Sequence, residues 1–285
     1  MDLGKPTGFQ LVFLLTALLL LSVPAAQYLG AWLPADENIR DTFLRALPQV
    51  VLAIVFTCVT PLRRWIVREL ACPIPDSRRT EILAVWVLHV IAAFAFMGAY
   101  VLWWDFREGA AALEQRMNAA GTHDQAMAEA LSPHWIAFHF LIAAILGPIV
   151  EEIFFRGFLF RAWERQFGWV ASLVLTSTVF GVYHKNFLMA FMGSLILVCV
   201  YRRTGTLLAP MIVHAAFNIS VWYPLLGRWI YPRDLSAPGD VQSWTPHVLA
   251  LAFCVVALPV YVWLSRDALS LAPSDTDDAH APLPR

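Results

Sequence analysis

Apolar blocks of about 20 residues recur along this chain, and that is the length an α-helix needs to cross about 30 Å of hydrocarbon. Lipid offers no hydrogen bonds to an open main chain, so such blocks are constrained to be helices. Of the 285 residues, 59% are hydrophobic and 14% charged, against about 45–50% and about 25% in soluble domains. The fold class expected is all-α, a polytopic transmembrane helix bundle. Eight spans can be drawn, near 9–30, 43–62, 82–104, 135–158, 168–185, 187–201, 206–226 and 247–264. The first has some signal-peptide character in Lys5, an apolar stretch, Ala25 and Ala26, but is read as an uncleaved helix.

Basic residues mark the cytoplasmic side of a membrane protein. The densest cluster is Arg63, Arg64, Arg68, Arg78 and Arg79. Alternating the spans from there puts both termini in the cytoplasm. The chain then divides into N-terminal helices with a polar loop (1–134), a core (135–226), a loop with the last helix (227–270) and a disordered tail (271–285). The polar stretch 105–132 reads as a surface helix broken near Gly121. The four cysteines form no C-x-x-C pair, so neither a zinc knuckle nor a disulfide framework is expected. A net charge of −1, without a basic patch interleaved with aromatics, argues against a nucleic-acid partner. The partner read directly from the sequence is the lipid bilayer. Short basic loops and hydrophobic termini suit a bacterial inner (cytoplasmic) membrane.

Some residues do not belong in such blocks. "IVEEIFFRGF" carries Glu151, Glu152 and Arg156; further on come His184, His214 and Asn218. A charge near the bilayer centre costs at least about 2.5–3.5 kcal/mol, so an ionisable residue there faces protein or a water-filled cavity and suggests function. Glu152 and Arg156 are one helical turn apart and can pair. Glu151 points about 100° away from Glu152 and stays free. His214 and Asn218 share one face in "HAAFN", and Phe180 and His184 repeat that spacing in "FGVYH". Singly, each has a bland explanation: a solvated helix end, a packing histidine, an asparagine bridging helices. Together they suit hydrolysis. A carboxylate in an apolar cavity can serve as a general base, and a histidine and an amide can donate hydrogen bonds to a developing oxyanion. His89 and His139 read as packing residues.

These three motifs, E-E-x-x-x-R, F-x-x-x-H and H-x-x-x-N in that order, resemble those of the CAAX prenyl protease and bacteriocin-processing family (CPBP, or Abi) of intramembrane endopeptidases. The resemblance covers about residues 135–222. It implies that Glu151 and His184 activate water, that His214 and Asn218 form the oxyanion site, and that Glu152, Arg156 and Phe180 support them. No H-E-x-x-H occurs, and Glu with His can activate water without metal, so a glutamate-type mechanism with no cofactor is expected; the alternative is zinc on Glu151, His184 and His214. The expected substrate is a membrane-associated protein or peptide, with prenylation left open. A non-catalytic scaffold, immunity or assembly factor on the same fold is the alternative function. One expectation conflicts with the rest: straight spans 135–158 and 168–185 would hold Glu151 and His184 at different heights.

Overall fold

A computed structural model describes residues 37–113, 140–184, 186–222 and 245–270, with scattered positions between 9 and 28 and at 115, 137 and 138. Every element among them is helical. Helix α1 is Glu37–Cys58 and α2 is Thr60–Leu70. A 3-10 turn, Asp76–Arg78, leads into α3, Arg79–Glu108. The composite helix α4 has a π-helical part Leu141–Leu146, an α-helical part Gly147–Glu152 and a second π-helical part Ile153–Phe160. It runs straight on into α5, Arg161–Val182. Then come α6, Phe187–Thr204, α7, Leu208–Trp222, α8, Thr245–Leu264, and the short α9, Arg266–Ser270.

Three of these helices are long and apolar enough to cross a membrane, and four if the bent pair α1–α2 counts as one span. The other expected spans in the described residues are helices too, but shorter or interrupted. Helix α7, at about 22 Å, falls short of the hydrocarbon thickness. Most of the first span, the stretch around Gly121, both termini and the tail lie outside the described residues, as does His139.

The expected span 43–62 is bent, not straight. Its second half leaves the first at 95°. Pro61 sits in the first turn of α2, and Val59 before it is extended. Proline has no N–H to donate to the preceding turn and is tolerated in a helix's first turn, so one helix ends and the next begins there.

Helix α6 is the centre of the bundle, with 61% of its apolar window buried. Val198 and Cys199 join the core of α4 and α5, while Ile196, Leu197 and Val200 join that of α3 and α8. A helix apolar on all sides belongs inside, and this one is. Helix α8 is the opposite case, with 11% of its window buried. It rests on α3 where Gly98 gives it room: a Cβ there would come within 2.4 Å of the His247 carbonyl. Arg202 and Arg203, expected as a simple anchor, bind the helices together. Arg203 pairs with Glu81 of α3, which also accepts from Tyr261 of α8, and Arg202 reaches Glu164 of α5.

Gly168 resolves the conflict of heights. Its φ of 77° and ψ of 171° interrupt α5, in a region of backbone space open essentially to glycine. Helix α4 therefore extends past its expected end to Phe167, and the chain folds back there. Phe155 meets Phe180 at 4.8 Å and Glu151 faces His184 at 3.8 Å. Each pair is centred on the Phe167–Gly168 junction. Equal arms of about 24 Å thus return His184 to the level of Glu151. A Cβ at Gly168 would touch nothing within 4 Å, so its cost is purely conformational. Gly168→Ala is expected to destabilise the fold by about 1–3 kcal/mol, read as a lowered unfolding temperature of the purified protein.

Candidate active site

Six helices and one turn line a cavity of about 280 Å³. Glu151 reaches it from α4, His184 from the turn after α5, and His214 and Asn218 from α7. Gln49 of α1 and His89 of α3 complete its polar lining. All four residues expected to act directly are brought together.

The two adjacent glutamates have opposite surroundings. Glu152 and Arg156 are both fully buried and pair at 3.0 Å. Arg156 also donates to the hydroxyl of Ser194 at 3.1 Å and lies over the Phe180 ring at 4.9 Å. Glu152 Oε1 takes a second contact from His214 Nδ1 at 2.8 Å. A carboxylate in an ion pair only accepts, so the His214 proton sits on Nδ1 and leaves Nε2 towards the cavity. Glu151, 18% exposed, is free of arginine; Oε1 accepts from Gln49 Nε2 at 2.9 Å. That contact leaves Oε2 facing the two imidazoles.

The F-x-x-x-H spacing has a double purpose. The carbonyl of Phe180 accepts from His184 Nδ1 at 2.6 Å, and its ring stacks on the imidazole at 4.2 Å. The carbonyl sets the tautomer and the ring sets the plane, so His184 Nε2 also faces inward. Glu151 Oε2 then stands 3.8 Å from His184 Nε2 and 3.9 Å from His214 Nε2. With His184 neutral, its Nε2 and Glu151 Oε2 are two acceptors facing each other across a gap too wide for a direct hydrogen bond. What fits between them must donate protons or carry positive charge. Water meets the first condition.

Asn218 takes up a defect in α4. Gly147 N–H bonds to Ile142 in the π register, and Pro148 has no N–H. Neither helical register thus supplies a donor to the Ala143 carbonyl, and Asn218 Nδ2 supplies it instead, at 2.8 Å. One amide proton is committed there and the other remains for a ligand. His214 can donate from Nε2 only as an imidazolium, its Nδ1–H already being held by Glu152. Gly147 and Pro148 therefore shift the helical register without breaking α4, and π-helical turns of this kind gather at functional sites.

The zinc alternative needs Glu151, His184 and His214 as ligands. Tetrahedral zinc at about 2.0–2.1 Å from each ligand spaces those atoms about 3.3 Å apart. The distances here are 3.8 and 3.9 Å, and no group of three His, Cys, Asp or Glu among the described residues has the arrangement to hold a metal ion. The donor set as placed is wider than a zinc shell.

Gln49 and Ser194 are not among the residues expected from the sequence, and His89 reads there first as a packing residue, with a place facing the cavity as the alternative. His89 does pack, stacked on Phe217 at 3.9 Å, but it also lines the cavity, and its Nδ1 has no hydrogen-bond partner among the described residues. Gly193 makes the space: a Cβ there would come within 2.4 Å of His89 Nε2. Gln49, a lone amide in an apolar span, carried the same signal as Glu151. Ser194 carried none.

Residues 133–220 match the family model described as type II CAAX prenyl endopeptidase Rce1-like. This segment is similar to the CAAX-protease-like (CPBP) family. A Bacillus subtilis (strain 168) protein named "Putative membrane peptidase YdiL" is 29% identical over 84 residues, which cover 28% of this chain and 34% of that relative. The match thus spans about a third of the relative's length. No solved structure matches the chain significantly. The three motifs all lie inside the CAAX-protease-like segment, whereas Gln49 and His89 lie outside it.

Two stability outcomes follow. Arg156→Met should cost about 3–5 kcal/mol by leaving Glu152 buried and unpaired, whereas Glu151→Gln should change stability by less than about 1 kcal/mol; denaturant unfolding of both proteins decides. Gly193→Ala should lower the unfolding temperature, and His89→Ala in the same chain should recover most of the loss, because the two side chains compete for one space.

Proposed function

We propose that this protein is a membrane-embedded endopeptidase that uses Glu151 and His184 to activate water. The observation that carries the reading is the convergence of Glu151 Oε2 with the inward nitrogens of His184 and His214 in a cavity that Asn218 also lines. The family match supports a membrane peptidase; the roles and substrate are our reading.

Water held between Glu151 and His184 gives a proton to the carboxylate as its oxygen attacks the scissile carbonyl. The carbonyl becomes an oxyanion. Asn218 donates its uncommitted N–H to that oxygen, and His214 donates Nε2–H as an imidazolium stabilised by Glu152. Preorganised donors of this kind can each contribute a factor of about 10²–10³ in rate. The proton on Glu151 then passes to the leaving amine, with His184 as relay. Gln49 holds the carboxylate in place. The mechanism uses no metal. The substrate class is a peptide or protein at the membrane, in a bacterial cytoplasmic membrane, and nothing in the site requires a prenyl group.

The test compares membranes bearing the wild type, Glu151→Ala, Glu152→Ala and His184→Ala at equal expression, with all N- and C-terminal peptides mapped. New termini are expected with the wild type and are lost with Glu151→Ala and His184→Ala. Cleavage should survive dialysis against a zinc chelator. Identical termini with wild type and Glu151→Ala would sink the peptidase reading in favour of a scaffold; loss of cleavage on chelation, restored by zinc, would replace the mechanism.

A further inference from the structure

The arginine cluster that follows α1 is divided by the fold. Arg78 pairs with Glu81 at 2.9 Å, and Arg79 with Asp76 at 2.7 Å. Arg63, Arg64 and Arg68, all on α2, are exposed and have no carboxylate partner among the described residues. The Arg68 side chain donates only to the Arg64 carbonyl, at 3.3 Å. Glu69, the acid on the same helix, is held by Arg161 in two contacts of 3.0 Å. Nearby arginines of the bundle are matched: Arg202 to Glu164 and Arg203 to Glu81. Exposed Arg165 forms no ion pair among the described residues, but it stands singly beside Glu164. Unbalanced positive charge is thus concentrated on α2.

The placement of α2 says what that charge faces. The apolar part of α1 passes as a membrane span only together with α2, and α2 departs from it at 95°. A helix perpendicular to a spanning one lies in the membrane plane. Its inner side is fastened to the bundle: Ile66 is buried, and Trp65 packs on Phe158 at 4.7 Å. Gly157 admits the indole, since a Cβ there would come within 2.7 Å of it. The outer side mixes the three arginines with Val67, 61% exposed, and Val59. At a bilayer surface the valines enter the acyl boundary while the guanidinium groups reach the phosphates. Arginine suits that ligand, because its planar fork matches a phosphate with two parallel hydrogen bonds.

We propose that α2 is an in-plane membrane-surface helix whose Arg63, Arg64 and Arg68 bind the phosphates of anionic phospholipids. Through Trp65 on Phe158 and Glu69 on Arg161, α2 is clamped to the end of the helix that carries Glu151 and Glu152. Headgroup binding therefore sets how far below the surface the cavity lies. The inference does not depend on peptidase activity.

The test uses the full chain in detergent, titrated with equal amounts of phosphatidylglycerol and phosphatidylcholine, with retained lipids counted by native mass spectrometry. The wild type should retain phosphatidylglycerol by a factor of about five over phosphatidylcholine, less as salt is raised. Arg63→Gln, Arg64→Gln and Arg68→Gln combined should bring the ratio near one. The corresponding triple lysine substitution should keep most of the preference, and Arg79→Gln, at a paired and exposed position, should keep all of it. A folded triple glutamine variant with the wild-type ratio overturns the proposal. So does an equal loss in Arg79→Gln, which would mark a response to net charge alone. Displacement of the bound phosphatidylglycerol by millimolar inorganic phosphate would reassign the arginines to a soluble phosphate, and overturns it as well.

Discussion

Glu152 and Arg156 are both sealed from solvent, and they hold each other at 3.0 Å in the middle of the bundle. Neither could stay charged there alone. Removing one partner of a buried pair costs about 3–5 kcal/mol because the other charge is stranded. The pair therefore has to be embedded in further contacts. Ser194 of α6 accepts from Arg156, His214 of α7 contacts Glu152, and the Phe180 ring of α5 lies against the guanidinium. One ion pair thus fixes four helices relative to one another. The satisfaction is incomplete, with Glu152 Oε2 and Arg156 Nε lacking partners among the described residues. Such a core is held for what it orients more than for stability.

What it orients is the proposed reaction centre. By occupying His214 Nδ1, Glu152 turns the other nitrogen of that ring towards Glu151. The Phe180 carbonyl does the same for His184. Gln49 takes one oxygen of Glu151 and leaves the other free. Each reacting atom is thus defined by a partner on its far side, which is how a site gains preorganised electrostatics. Asn218 repeats the theme, positioned by a carbonyl that Pro148 left without a main-chain donor.

Backbone exceptions make this arrangement possible. Gly168 turns one long helical path into a hairpin, and without that turn Glu151 and His184 would sit at opposite ends of their helices. The bend at Val59 lays α2 against the end of α4, where Gly157 accepts Trp65. The helices that carry the chemistry are accordingly the shortened, interrupted or π-helical ones. The uninterrupted helices α3, α6 and α8 supply the frame.

The sequence by itself determined the helical class, the membrane setting and four of the residues in the cavity, Glu151, His184, His214 and Asn218. Those follow from local rules: the length of apolar blocks, the cost of charge in lipid, and the four-residue spacing that puts Glu152 with Arg156 and Phe180 with His184. It also told the two glutamates apart, because their directions on a helix differ by about 100°. The tertiary structure alone decided the rest. Helix heights depended on a glycine whose positive φ no hydrophobic pattern reports. The tautomers of His184 and His214 depended on partners four and sixty-two positions away in the chain. Gln49, His89 and Ser194 became neighbours of the site only when α1, α3 and α6 packed around α4. The division of the arginines into paired and unpaired sets depended on which carboxylates the fold brought within reach. Spacing along one helix is a local property that a sequence displays, whereas contact between helices is settled by how the whole bundle packs.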